Sequence, residues 1–365
     1  MRIIKMLLII LLVSVAQANG AESSLGPQQS ATGRNETFEI VPIWAHVHTN
    51  SPGDDGSSPK ETVAFLKRKG YRGVLFTPHS GELNYANYKA EIDSLNSPDF
   101  ITIPGREIST LNGADDNNER VMCHLNAITG APSPAVLDNK YQRENLPDLI
   151  KDLDAEKSVY IWNHPWVCPM WEKYAGLFKG IEIFNEFGPG YADGSSYRFD
   201  TSNYLNELKK GNRLFVITGI DMHSLLQSSL GEFTAYVFPD KFTRESMIAA
   251  IRNGNTLAAF NAVVSEINMR PALSSRRLPG GSFEISGVVG LRIQNGPKPA
   301  FNIYKNGEKY SPRNPSSFER GKKDAKGYIT YSFSFGDAVK SDEESCYVFE
   351  IPHYILSSPY CFSGR

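Results

Sequence analysis

The residues of this chain best suited to chemistry are imidazoles and carboxylates at the ends of apolar runs. The chain has seven histidines, and His46, His48, His79, His124, His164 and His223 all fall at or just past the C-terminal ends of short runs that read as β-strands. His46-Val47-His48 closes the first such run. Strand side chains repeat every second residue, so both imidazoles face the same way. Asp221-Met222-His223 repeats that spacing after the last run. Neutral imidazole and carboxylate are the usual ligands of zinc, manganese and iron. A lone H-x-H says little, but paired with a distant D-x-H at another strand end it points to a metal site.

Glu107, in Gly105-Arg106-Glu107-Ile108-Ser109, follows the third run, where a carboxylate can bridge two cations and reduce their repulsion. The loop past H-x-H holds Asp54-Asp55-Gly56. Asp55 is taken as the ligand because Gly follows it, with Asp54 competing; a plain turn is the alternative for both. Arg106 either points away from Glu107, as strand alternation requires, and forms an outer salt bridge, or clamps a phosphate bidentately if the strand has already ended. Asn185 and Trp166 either line the pocket or serve as turn and packing residues. No G-x-S-x-G elbow or P-loop is present to supply a different chemistry.

These residues need a frame that brings strand ends together. Apolar runs at 41–48, 73–77, 100–104, 122–128, 159–163, 180–185 and 214–218 alternate with helical patterns, clearest at 146–156 and 201–210, with one more helix at 243–253. Ser58-Pro59 starts a helix as cap and first position, Val63 and Leu66 form its buried stripe, and Gly70 ends it. Strands alternating with helices predict an α/β fold with a parallel sheet, open or closed into a barrel, whose C-terminal strand ends converge on one face. After about residue 263 helical periodicity stops and turn signals such as Pro279-Gly280-Gly281 and Asn306-Gly307 separate short strands, which predicts a small β-sandwich-like domain over 263–365.

The 365 residues carry 38 Lys and Arg against 40 Asp and Glu, a net charge of -2, so no electrostatic footprint for nucleic acid exists. Arg2, Lys5, the apolar run 6–15 and Ala16-Gln17-Ala18 read as a signal peptide cleaved after Ala18. The apolar run is too short to span a bilayer comfortably, which needs about 20 residues. Residues 19–40 form a flexible lead-in containing the sequon Asn35-Glu36-Thr37. The mature chain is expected to be exported, periplasmic or secreted, with no stable membrane insertion. Its cysteines, Cys123, Cys168, Cys346 and Cys361, allow two disulfides. Cys346–Cys361 is the favoured pair, and Cys123–Cys168 follows by elimination unless both remain free thiols.

The runs AHVHTNSPGDDG, FTPHS, GREIS, CHLNAI, NHP and GIDMHS, in that order over about residues 41–260, resemble the polymerase and histidinol phosphatase (PHP) superfamily of metal hydrolases. Asn163-His164-Pro165-Trp166 and Ile183-Phe184-Asn185 resemble its carbaryl-hydrolase-like branch of exported proteins, which tend to carry a trailing β-domain. The resemblance implies a distorted seven-stranded β/α barrel over 41–262 holding two or three divalent ions of zinc, manganese or iron. His46, His48, Glu107 and Asp221 would hold the first ion. Glu107 would bridge to a second held by His124 and His164, and Asp55, His79 and His223 would hold a third. Glu107, Asp221 and His223 carry the catalytic assignment, and Arg106, Asn185 and Trp166 the substrate contacts. One departure is Thr77-Pro78-His79 where the family usually has Thr-Asp-His, which removes a carboxylate that could orient His79. The implied activity is ester hydrolysis by a metal-activated hydroxide on a small-molecule phosphoester. A carboxyl-ester or carbamate hydrolase is the alternative, and a non-catalytic metal-containing binding protein is the third reading. The β-domain would then contact a glycan or another protein.

Overall fold

The computed structural model describes residues 39–363 except 52–53, 55, 80–83, 115–119, 129–145, 186–200, 226–232, 261–263, 271–275, 278–281, 295–299, 312–317, 326, 341 and 353–354. The leader, the sequon, Asp55, the Pro279-Gly280-Gly281 turn and His353 lie outside them.

β1 (Val41–Val47) is buried along nearly its whole length, which is why it reads as an unbroken apolar run. The first helix, α1 (Pro59–Lys69), begins and ends as its capping residues dictate. Ser58 Oγ accepts the Glu61 N–H, Pro59 fills the first turn, and Gly70 closes the helix in the left-handed region at φ 86°. Val63 and Leu66 face the core, with Pro59 and Thr62 beside them. β2 (Gly73–Phe76), α2 (Tyr85–Ser94), β3 (Ile101–Ala114), β4 (Arg120–Ile128), α3 (Leu146–Ala155) and β5 (Val159–Trp162) follow. Two 3₁₀ segments, Pro165–Val167 and Pro169–Leu177, lead to β6 (Gly180–Asn185), α4 (Thr201–Lys209) and β7 (Phe215–Gly219). β8 (Phe233–Val237), α5 (Arg244–Arg252) and β9 (Thr256–Phe260) complete the first part.

β1, β2 and β3 pair in parallel, as do β5, β6 and β7. The expectation of a wholly parallel sheet fails at β4, which runs antiparallel to both β3 and β5. Only residues 115–119 separate β3 from β4, and a parallel return needs a crossover of about a dozen residues or more. Past β7, the chain bonds to β1: Ile220 N–H donates to the Ala45 carbonyl (3.0 Å), Met222 N–H to that of His46 (3.2 Å), and His48 N–H to that of Met222 (2.9 Å).

The predicted boundary at 262/263 does not divide the sheet. β8 pairs with β1 on the edge opposite β2, then β9 with β8, and β18 (Ile355–Ser357) with β9. β17 (Glu344–Ile351), β13 (Asn302–Lys305), β14 (Glu308–Lys309) and β19 (Tyr360–Ser363) continue it, giving a 14-stranded mixed sheet. β10 (Val264–Arg270), β11 (Arg276–Arg277), β12 (Ser282–Gln294), β15 (Phe318–Lys323) and β16 (Tyr328–Lys340) form a separate 5-stranded sheet. One apolar cluster joins Tyr236, Leu257 and Ala259 to Ile303, Phe349, Ile351 and Ile355 across the expected boundary. The Asn306-Gly307 hairpin between β13 and β14 forms as its sequence predicts, with both residues at positive φ, 51° and 79°.

Both disulfides form. Cys346–Cys361 ties β17 to β19 directly across their register, and Cys123–Cys168 ties β4 to the junction of the two 3₁₀ segments. They are compatible with an exported protein. No helix among the described residues is long and apolar enough to cross a membrane.

Candidate metal centre

His46 and His48 leave β1 towards one point, but not by alternation alone. The register with β2 shifts between Trp44 and Val47, and His46 sits in the left-handed region at φ 59°. That irregularity brings the two Nε2 atoms to 3.3 Å. Glu107 reaches into the same space from β3. Its Oε1 lies 3.1 Å from His46 Nε2, 3.0 Å from His124 Nδ1 and 3.4 Å from His164 Nε2. Its Oε2 lies 3.4 Å from His48 Nε2 and 3.3 Å from His79 Nε2. Asp221, just beyond β7, places Oδ1 at 2.9 Å from His48 Nε2 and 3.3 Å from His46 Nε2. The His223 ring stacks on His48 with centroids 3.9 Å apart.

These donors form overlapping groups whose ligand atoms lie within 4.8 Å of one another: His46, His48, Glu107 and Asp221; His48, Asp54, His79 and His223; and His79, Glu107 and His124. Donors about 2.0–2.2 Å from a shared ion would stand roughly 2.8–3.6 Å apart at octahedral or tetrahedral angles. The 2.9–3.4 Å separations around Glu107 and Asp221 fall in that range. His124 Nε2 and His164 Nδ1, the ring nitrogens that do not face Glu107, are buried with no hydrogen-bond partner among the described residues. The buried cluster of His46, His48, Glu107 and Asp221 could hold a metal ion. A further grouping, Glu344 with Cys346 and Cys361, has its sulfurs committed to a disulfide.

The charges are arranged for cations. Burial lowers the affinity of His46 for a proton, but Asp221, Glu182 and Glu107 outweigh it and hold its pKa well above the usual imidazole value. For His48 burial is likewise outweighed, by Asp221, Asp54 and Glu107. Burial would raise Glu107, yet His124 and His46 hold it well below the ordinary carboxylate range. Asp221 and Asp54 are depressed in the same way by their imidazole neighbours.

The backbone is strained here. Among the described residues, the non-glycine residues at positive φ are His46, Lys157, His164 (27°), Asp221 (48°) and Asn306. Each such residue costs on the order of 1 kcal/mol or more. Three of them are donors of this cluster, and strain of that kind collects where geometry serves function.

Asp55 lies outside the described residues, and among the described residues Asp54 is the loop carboxylate in the cluster. It accepts the His79 N–H at 3.1 Å and lies 3.0 Å from His48 Nδ1. Asp54 thereby supplies from another strand end the carboxylate that Thr77-Pro78-His79 lacks beside His79. The loop turns tightly enough for this because Gly56 packs on the His48–Thr49 backbone, where a Cβ would come within 2.3 Å. Arg106 is corrected out of the site. β3 continues through it, so alternation turns it to the opposite face, buried, 3.8 Å from Glu156 and near the Tyr85 ring. Asn185 is buried and donates to Glu182 at 2.9 Å, so it supports the site rather than facing substrate. Trp166 is half-buried beside His164, its ring 6.5 Å away, with Val167 exposed next to it.

Residues not singled out from the sequence complete the surroundings. Asn163 Nδ2 donates to Glu107 Oε1 at 2.7 Å and its Oδ1 accepts the Asn126 N–H. Glu182 on β6 accepts from His46 Nδ1 at 2.7 Å. Its signal was present: a lone carboxylate inside Gly180-Ile181-Glu182-Ile183-Phe184-Asn185 is almost never buried unless paired. Comparison of the chain with protein-family models and with curated proteins returns no match.

Proposed function

We propose that this chain is a metal-dependent ester hydrolase of the PHP type, binding two or three divalent ions and acting on a small phosphoester. The observation that carries the reading is Glu107, whose two oxygens together reach His46, His48, His79, His124 and His164 from one buried carboxylate. That is the placement a bridging ligand needs. His46, His48 and Asp221 would complete the first ion's shell, His124 and His164 the second, and Asp54, His79 and His223 the third. The strands β1–β7 are read as a distorted barrel, supported by the hydrogen bonds that return from Ile220 and Met222 to β1.

When bound, such ions supply Lewis acidity, lowering the pKa of water and polarising an ester oxygen. The chain's own residues do the rest. Asn163 fixes the Glu107 carboxylate, and Asp54 holds His48 and the His79 backbone. His223 Nδ1–H donates to the Asp221 carbonyl at 3.0 Å, which makes Nε2 the nitrogen with which this ring would hold the third ion. Carboxyl-ester or carbamate hydrolysis is the second reading. It is favoured by the burial of Arg106 away from the donors and by the apolar edge of Trp166 and Val167.

A panel of phosphate, carboxyl and carbamate esters assayed on metal-loaded protein separates the two readings. Phosphomonoesters or diesters are the expected substrates, and H46A or D221A should cost at least about a hundredfold in rate together with bound metal, since even outer-shell changes cost 10–100-fold. Selective turnover of carboxyl or carbamate esters would replace the first reading with the second. Full activity in either variant would remove that residue from the site.

A further inference from the structure

Glu182 belongs to none of the donor groups found among the described residues, yet much of the centre hangs from it. It is 1% exposed on β6, and each oxygen accepts twice. Oε1 faces His46 Nδ1 at 2.7 Å and Asn126 Nδ2 at 3.3 Å. Oε2 faces the His164 backbone N–H at 3.0 Å and Asn185 Nδ2 at 2.9 Å. All four neighbours are donors, so only a group that accepts at both ends fits. The fold makes room for it at Gly219, where a Cβ would stand 2.3 Å from Glu182 Oε1.

We propose that Glu182 is the positioning residue of the metal centre, fixing His46 as the Nδ1–H tautomer and pinning the left-handed backbone of His164. The proposal rests on the metal-centre reading above. With Nδ1–H committed to Glu182, the His46 lone pair is on Nε2, the atom that faces Glu107 and Asp221. A ligand imidazole anchored through its far nitrogen to a carboxylate is held in orientation and made more basic. Through the His164 N–H, the same carboxylate reaches the donor on the other side of Glu107. Glu182 thus ties together the shells of the two ions that Glu107 would bridge. Gln is the informative replacement. It has the same shape, but its amide NH₂ must face two donors whichever way it turns.

The test is a cobalt(II) titration of the full-length wild type, E182Q and N185A, followed by visible d–d absorption, with circular dichroism and thermal melts on each. E182Q should bind cobalt about 10–100-fold more weakly and shift its absorption band. N185A, which removes one bond to Oε2, should show a smaller loss in the same direction. A folded E182Q with wild-type affinity and band overturns the proposal, even if its melting temperature falls, because a merely structural role would do only that. If E182Q does not fold, N185A decides: unchanged affinity and band overturn the proposal. Wild-type protein that takes up no cobalt overturns the metal-centre reading itself, and this inference with it.

Discussion

In the metal-free protein, His46 and His48 hold protons because buried carboxylates surround them, and an ion must displace those protons to bind. The linkage has a definite sign. The folded pKa values of His46 and His48 are raised above 6.5, so their contribution to stability is complete below that value and lost as pH rises through the raised pKa. Asp54, Asp221 and Glu107 are depressed, so their contribution is present above about pH 4 and lost on acidification. Metal-free protein should therefore melt higher near pH 6 than near pH 8.5. Metal-loaded protein should do the reverse, because deprotonation favours the ion. Calorimetry at the two pH values, with and without chelator, checks this; a metal-free melting temperature that climbs steadily to pH 8.5 would contradict it. At this scale the sequence was most legible where spacing has a period. His46 with His48 and Asp221 with His223 stand out by their i and i+2 spacing, although His46 and Asp221 leave strand geometry at positive φ, which the spacing does not show. The choice between Asp54 and Asp55 had no such guide, since a loop has no period and the close approach of Gly56 to His48 appears only in three dimensions.

Among the elements, β4 and the Pro165–Val167 turn deliver His124 and His164, and the Cys123–Cys168 disulfide staples them together. Alternation turns Cys123 away from the His124 face, which frees its sulfur to make that bond behind the site. Closing a loop with a sequence separation of 45 should stabilise the fold by about 4 kcal/mol on the chain-entropy model. A C123S/C168S variant should lose stability of that order in urea melts, and should lose zinc to a competing chelator faster than wild type. Equal zinc retention would show that the staple serves stability alone. Helix α1 was readable to the residue because Ser58, Pro59 and Gly70 act locally. The reversed direction of β4 was hidden for the opposite reason. The expected third strand stopped at Pro104, whereas β3 runs on to Ala114, and only that extension brings its end within five residues of β4.

The molecule as a whole is less divided than its texture suggests. The change of composition after residue 263 is real, but β18 adds to β9 and carries β17, β13 and β14 into the same sheet. Pairing over about a hundred residues leaves no local mark, because each partner strand needs only to be apolar on the face it buries. Ending the chain at residue 262 should expose Tyr236, Leu257 and Ala259 and leave β9 as an open edge. Such a truncation is expected to aggregate on size-exclusion chromatography, while a monodisperse, metal-binding 39–262 fragment would show that the C-terminal strands are dispensable.

All of this turns on whether the buried donors gather ions. Elemental analysis of full-length protein, purified without chelator and after reloading with zinc or manganese, measures that directly. About two to three tightly held divalent ions per chain are expected, with the count falling in H46A and D221A. Correctly folded wild-type protein that retains no stoichiometric metal under either condition would contradict it.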